Sequence, residues 1–395
     1  MFNFDYLLRQ ELEELKALGL YRETKRINTI QGPEVIIDGK KVILLSSNNY
    51  LGLASHPEVI KAQAWALEEF GAGACASRLV SGNMSLHEEL EERIAAFKGT
   101  EEAIVFPTGY MANVGTISAA SGEKDLIVCD KLNHASIIDG ARLSGATLRT
   151  YPHKNIERLE DILKKATSYR RKIIISDGIF SMDGDIALLP QLLELAERFD
   201  AILMLDDAHA TGVLGKTGRG TCEHYGIKKG VHIQMGTLSK AIGNLGGFIA
   251  GSRFLVDYIR NKARSFIYST ALPPAILGGS IKAIDIAEKD PGLRERLWVN
   301  IRKFRSALQE LDFNIMGSET QIIPIYIKDA PTAMKVSEFL FKNGIFAPGI
   351  RPPTVPKAKC RIRTSLMATH TEEHIDNVVG VFRRLKNERF FCNRD

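Results

Sequence analysis

The sequence predicts an α/β fold, with a mostly parallel central sheet, helices on both of its faces, and a small α+β domain after it. Three observations predict this. Short apolar runs without alternation recur through the first three quarters of the chain, as strands buried on both faces require. Helical patterns separate these runs, which suits right-handed crossovers between parallel neighbours. The pattern then breaks at Lys289-Asp290-Pro291-Gly292, and a smaller alternation of helix and strand follows. At 395 residues the chain exceeds one ordinary core, so more than one domain is expected.

The elements follow in order. Residues 1–45 form an N-terminal helix and arm. Leu8, Leu12, Leu15 and Leu18 fall at near-helical spacing, as in an amphipathic docking helix, and the charged start lacks a signal-like apolar core. Residues 46–288 form the large domain. In it, a helix over Leu86–Phe97 opens with Ser85 and Glu88 as a capping box and stops at Lys98-Gly99. Strand-length runs lie at Ala103–Phe106, Leu126–Cys129, Lys172–Ser176, Ala201–Leu205, Val231–Met235 and Phe248–Ala250. Residues 289–395 form the small domain. It has a helix over about 294–310, a run at Gln321–Ile327, a second helix, the loop Gly349–Pro356, a strand at Arg361–Leu366 and a last helix over about 371–386.

Composition narrows the function. A hydrophobic share of 45% and a charged share of 25% are those of a soluble globular protein. The net charge of +5, without a basic block interleaved with aromatics, argues against nucleic acid as the main partner. No run approaches the ~20 apolar residues that span a bilayer, so no membrane partner is expected. Cys75, Cys129, Cys222, Cys360 and Cys392 form no CxxC pair and read as free thiols in a reducing, cytoplasmic setting. No ligand spacing supports a metal site, Asp206 and His209 included.

The chemistry gathers at strand ends. One apolar run ends in Asp206-Asp207-Ala208-His209, and the next runs into Gly236-Thr-Leu-Ser-Lys240. A carboxylate and a lysine so placed suit pyridoxal 5′-phosphate, whose aldehyde takes an amine and whose ring nitrogen stays protonated beside an acid. An acidic strand end without a role is the alternative. Phe106 leads through Pro107-Thr108-Gly109-Tyr110 into a helix, and such a turn offers backbone N–H groups to a phosphate. Thr237 and Ser239 add hydroxyls. His209 can hydrogen-bond the ring hydroxyl, and His134 can stack on the ring and serve as acid or base. Gly243-Asn-Leu-Gly-Gly247 permits close backbone approach but lacks the dinucleotide spacing. Arg361 and Arg363 are expected on opposite faces of a strand, one as a bidentate carboxylate clamp and the other facing away.

The sequence resembles the α-oxoamine synthase family of fold-type I pyridoxal phosphate enzymes. The resemblance rests on Leu45-Ser-Ser-Asn-Asn-Tyr-Leu-Gly-Leu53, Gly71-Ala-Gly73, Ser77-Arg-Leu-Val-Ser-Gly82, Asn133-His-Ala-Ser136 and Asp177-Gly-Ile-Phe-Ser-Met-Asp-Gly184. Asp206-Asp-Ala-His-Ala-Thr-Gly212, Gly236-Thr-Leu-Ser-Lys240 and Arg361-Ile-Arg-Thr364 complete it, in family order. It implies Lys240 as the amine that holds the aldehyde, Asp206 on the ring nitrogen, His209 on the ring hydroxyl and His134 over the ring. Ser181 would sit beside the cofactor, with the Gly109 and Tyr110 amides and Thr237 around the phosphate. Asn48 would lie near the amino-acid substrate and Arg363 would hold its carboxylate. Members are homodimers with shared active sites, which is the assembly the resemblance implies.

Leu20-Tyr21-Arg22 and Ile350-Arg-Pro-Pro-Thr-Val-Pro356 resemble the branch that joins alanine to a pimeloyl thioester, with loss of CO2, in biotin synthesis. There Arg22, Arg351 and Thr354 would bind the acyl substrate. Pro356-Lys357 and the stretch Arg361–His370 resemble the glycine acetyltransferase branch, which remains the alternative. A catalytically silent subunit of the same fold is a more distant one.

Overall fold

The computed structural model describes residues 3–388. The chain divides into two compact units. One comprises residues 1–47, 182–184 and 298–395, and the other residues 48–181 and 185–297. It opens with α1 (Phe4–Ala17), capped by Asn3, whose side chain accepts from the Tyr6 N–H. The helix expected from the leucine spacing therefore forms, but Leu8, Leu12 and Leu15 are exposed and none of its residues is buried. β1 (Glu34–Ile37) and β2 (Lys40–Leu44) then make an antiparallel hairpin. Its turn is Asp38-Gly39, both at positive φ, the backbone that a two-residue hairpin loop needs.

The larger unit begins with α2 (Pro57–Phe70) and α3 (Ser85–Lys98). Helix α3 starts one residue earlier than its sequence signal implies. Met84 is the cap, and the box is closed by His87, whose Nδ1 accepts the Met84 N–H at 3.1 Å, rather than by Ser85 and Glu88. Gly99 ends it in the left-handed region, as expected.

Next come β3 (Glu102–Phe106), β4 (Leu126–Asp130), β5 (Thr147–Tyr151), β6 (Lys172–Asp177), β7 (Ile202–Asp206), β8 (Ile233–Thr237) and β9 (Gly247–Gly251). They form one sheet in the order β3-β9-β8-β7-β6-β4-β5. Strands β4 to β8 pair in parallel, while β9 is antiparallel to β8 and β3, because the short 238–246 connection holds no crossover helix. Along β6, Ile173 and Ile175 pack with Ile127, Cys129 and Met204 on one face. Ile174 packs with Leu126, Val128, Leu203 and Leu205 on the other. Burial of both faces is why these strands read as continuous apolar runs.

The helices α4 (Gly109–Ala120), α5 (Ala135–Leu143), α6 (Ile156–Lys164) and α7 (Leu189–Arg198) alternate with the strands. The short α8 (Thr221–His224) precedes β8, and α9 (Arg253–Lys262), α10 (Arg264–Ile267) and α11 (Pro274–Lys289) follow β9. Because β4, β6, β7 and β8 are parallel, Asp130, Asp177, Asp206 and Thr237 end their strands on the same edge of the sheet. In open α/β sheets that edge is where ligands bind.

The division between the units falls inside α12 (Pro291–Glu310), one continuous helix, rather than at the Pro-Gly signal that starts it. The other unit continues with β10 (Ile322–Tyr326), α13 (Ala330–Lys342), β11 (Ile345–Phe346), β12 (Gly349–Ile350), β13 (Arg361–Ser365) and α14 (Glu372–Asn387). Strands β10, β13 and β12 form an antiparallel sheet, and Phe304 and Phe313 meet Phe382 edge-on in the core. Strand β11 pairs in parallel with β2, and the Ser365 hydroxyl donates to Ser47 O at 2.7 Å. The N-terminal arm is thus part of this unit and does not stand alone. Among the described residues no helix is long and apolar enough to cross a membrane. Cys75, Cys129, Cys222 and Cys360 carry no disulfide, and Cys392 lies outside the described residues.

Candidate active site

A cavity of about 190 Å³ opens at the C-terminal strand ends of the larger unit. Of the residues expected from sequence, Lys240, Asp206, His134, His209, Gly109, Tyr110 and Thr237 line it, together with Ser239. A larger cavity of about 640 Å³ lies at the other ends of β7 and β8, beside Lys228 and Tyr258. None of the residues expected to do chemistry lines that one, so the reactive groups rather than the volume identify the site.

Strand pleating separates the two adjacent acids. Asp206 continues the face of Met204, and Asp207 continues that of Leu205. Asp207 is fully buried and accepts from Lys98 Nζ at 2.9 Å and from the Thr221 hydroxyl at 2.6 Å. The Lys98 ammonium also donates to Arg219 O. Asp207 is therefore a structural ion pair, and Asp206 is the acid that lines the cavity.

Asp206 accepts the Ala208 N–H at 2.9 Å and Asn113 Nδ2 at 2.7 Å. The second Asn113 proton goes to the Ser136 hydroxyl, 2.9 Å away. That hydroxyl lies 2.7 Å from His134 Nδ1, which also accepts the Ser136 N–H at 3.3 Å. Nδ1 is thus an acceptor, and the neutral ring carries its proton on Nε2. Burial pulls the His134 imidazole below its ordinary range; the Asp206 carboxylate opposes this and Lys240 reinforces it.

Asp177, at the end of β6, accepts the His134 N–H at 3.2 Å. Burial and then the charge of Asp206 push its carboxyl well above the usual carboxylate range. On another wall, His209 Nδ1 lies 2.7 Å from the Tyr50 hydroxyl, which donates to Asn48 Oδ1 at 3.0 Å. Asn48 thereby reaches the cavity wall through Tyr50. Ser181 occupies the hairpin closed by the Ile179–Ile186 bridge and is not among the lining residues.

At the phosphate end, Thr108 caps α4 by accepting the Met111 N–H at 3.1 Å. Gly109 and Tyr110 are the first helical residues, whose N–H groups have no intrahelical acceptor. The Tyr110 side chain turns away and donates to Asp139. Thr237 donates to Gly246 O at 2.7 Å and lies 2.7 Å from the Ser239 hydroxyl, which pins the lysine loop to the start of β9. A Cβ at Gly247 would fall 2.5 Å from Gly109 Cα, so only glycine lets β9 pass under the turn. Amine, carboxylate, imidazoles, hydroxyls and free amides answer the aldehyde, ring nitrogen, ring face and phosphate of pyridoxal 5′-phosphate. The Asn113 Oδ1, buried and without a hydrogen-bond partner among the described residues, adds an acceptor at the same wall.

The remaining expected residues belong to the other unit. Arg22 donates to the Thr354 hydroxyl at 3.2 Å, and Arg351 donates to Tyr21 O at 2.8 Å, so the arm and the 349–356 loop are joined. Arg361 and Arg363 are both buried, and residues two apart on a strand share a face; the expectation of opposite faces is corrected. Arg361 is occupied by Asp183 and the Met182 carbonyl. Sequence reasoning assigned no role to Asn113, Ser136, Asp177 or Tyr50. A buried asparagine inside an otherwise small and apolar helix was the one signal that could have found Asn113.

Three comparisons bear on the site. Residues 40–382 match the family model described as aminotransferase class I and II. The chain is 52% identical over 378 residues to an 8-amino-7-oxononanoate synthase of Citrifermentans bemidjiense, covering 95% of this chain and 97% of the relative. It is 46% identical over 381 residues to 8-amino-7-oxononanoate synthase 1 of Bacillus subtilis, covering 96% and 97%. Among solved structures it resembles serine palmitoyltransferase from S. paucimobilis with a bound PLP–myriocin aldimine. That match has a TM-score of 0.92 and 32% identity, and covers 96% of this chain and 97% of the other. An 8-amino-7-oxononanoate synthase from Francisella tularensis matches with a TM-score of 0.76 and 30% identity, over 88% and 98%.

Proposed function

The chain belongs to the class I and II aminotransferase family and, within it, to the α-oxoamine synthases; on that premise we propose that it condenses L-alanine with a pimeloyl thioester. The products are 8-amino-7-oxononanoate, CO2 and the free thiol, and the step serves biotin biosynthesis. One observation carries the reaction class: the amine of Lys240 and the carboxylate of Asp206 line one small cavity. Full-length identity of 46–52% to curated enzymes of this activity supports the choice of substrates.

The cofactor is pyridoxal 5′-phosphate, which when bound supplies an aldehyde and a cationic ring that accepts electrons from the substrate. Lys240 holds the aldehyde, and Asp206 keeps the ring nitrogen protonated. Asn113, by donating to Asp206, holds that carboxylate in place. His134 covers the ring with its proton on Nε2, because Nδ1 is engaged by Ser136. The Lys240 amine, rather than His134, is then the base for the Cα proton of alanine. His209, oriented by Tyr50, meets the ring hydroxyl, and Ser181 stands beside the cofactor. The Gly109 and Tyr110 amides bind the phosphate, and Thr237 stands beside it.

Arg363 clamps the substrate carboxylate in a bidentate pair, with Asn48 nearby, and so sets which Cα bond breaks. Arg22, Arg351 and Thr354 bind the acyl substrate; the Arg22–Thr354 and Arg351–Tyr21 hydrogen bonds support their acting together. The enzyme works in the cytoplasm as a homodimer with shared active sites. A turnover assay pairing alanine or glycine with pimeloyl or acetyl thioesters tests the reading. Alanine with the pimeloyl donor should be fastest and release CO2, whereas preference for glycine with the acetyl donor would overturn it.

A further inference from the structure

We propose that His153 is a positioning residue of this active site: a half-buried cation that ties the turn bearing His134 to the hairpin bearing Ser181. The inference rests on the cofactor reading given above, but it concerns a residue that no part of that reading uses. His153 Nδ1 lies 3.0 and 3.1 Å from the two carboxylate oxygens of Asp130, and Nε2 lies 2.9 Å from Asp185 Oδ2. Both ring nitrogens face carboxylates, and only an imidazolium donates from both.

Each carboxylate organises one wall. Asp130 ends β4 and accepts the N–H groups of Leu132 and Lys154, each at 2.8 Å, while its carbonyl accepts the Asn133 N–H at 3.1 Å. It thereby shapes the turn that delivers His134 to the start of α5. Asp185 closes the other element. Its carbonyl accepts the Phe180 N–H at 3.1 Å, the Ile179–Ile186 bridge lies directly inside, and Ser181 follows Phe180 at the tip. The Phe180 ring meets the His153 ring edge-on, with centroids 4.5 Å apart. Lys154 Nζ, 3.0 Å from Asp185, is a second cation beside this carboxylate. Asp130 and Asp185 are both buried, so removing the imidazolium leaves two acids to move apart or take up protons. Either change shifts the walls against which the cofactor ring sits.

The test uses the full-length holoenzyme with His153→Gln, which is neutral, and His153→Arg, which keeps a cation with several donors. Pyridoxal phosphate titration and visible circular dichroism of the bound cofactor are the readouts. His153→Gln should bind the cofactor about tenfold or more weakly and show an altered visible band, with kcat reduced and KM for the thioester within about twofold. His153→Arg should recover most of the affinity. A His153→Gln enzyme that is merely less heat-stable, with the wild-type cofactor affinity and band, would overturn the proposal, as would an arginine variant no better than the glutamine one. If His153→Gln does not accumulate folded, Asp185→Asn removes one anchor alone and should weaken cofactor binding in the same direction; unchanged binding there also overturns it. Failure of the wild-type chain to take up pyridoxal phosphate would count instead against the cofactor reading.

Discussion

Asp206 and Asp207 show how one pleat assigns two acids to different tasks. The first lines the cavity and is held by Asn113, and the second is fixed behind the sheet by Lys98 and Thr221. Asp206→Asn should therefore retain bound cofactor yet lose at least ~10²-fold in kcat, since charge stabilisation of this kind is worth a few kcal/mol. Steady-state kinetics beside an absorption spectrum check this, and near-normal turnover would remove Asp206 from its role. Asp206 and Lys240 were legible because the first closes an apolar run and the second follows the next run by a short loop, which places both near strand ends. Asn113 and Ser136 were not, because their roles arise only when α4, α5 and β7 are brought together. The face shared by Arg361 and Arg363 follows from the strand period alone, so the expectation of opposite faces misapplied that period.

At the scale of elements, the Lys98–Asp207 pair holds α3 to the end of β7 with both side chains fully buried. Lys98→Met leaves an uncompensated buried carboxylate and should destabilise the protein by about 3–5 kcal/mol, measured by urea unfolding. Protonation of the 130–153–185 cluster adds a pH dependence. Burial lowers the His153 imidazole, but its hydrogen bonds to Asp130 and Asp185 outweigh it and raise the group from 6.5 to about 9. A raised folded value stabilises fully below the unfolded value, near pH 6.5, and that stability is lost as pH rises through about 9. The wild-type urea midpoint should fall over this window, and His153→Gln should flatten the fall; equal slopes would refute the linkage. Element types were readable from periodicity, and the caps less so. The α3 box closes through His87 Nδ1, which the Ser-x-x-Glu signal does not describe.

Over the whole molecule, the sequence conveys the order of strands and helices, while the grouping of segments depends on pairings distant in the chain. Strand β11 joins β2 through Ile345 and Ile43, so the N-terminal arm belongs with the C-terminal unit, and no local signal in residues 1–45 announces it. Pro291-Gly292, read from sequence as a break, opens α12, because proline suits the first turn of a helix as well as a linker. The larger unit by contrast followed directly from its continuous apolar strands, and with it the shared edge that collects the reactive side chains.

The most direct test of the central claim is borohydride reduction of the purified holoenzyme followed by peptide mapping. The account predicts a yellow protein whose colour bleaches on reduction, with one pyridoxyl group fixed on the peptide containing Lys240. A label on a different lysine, or a colourless protein that takes up no cofactor, would contradict it.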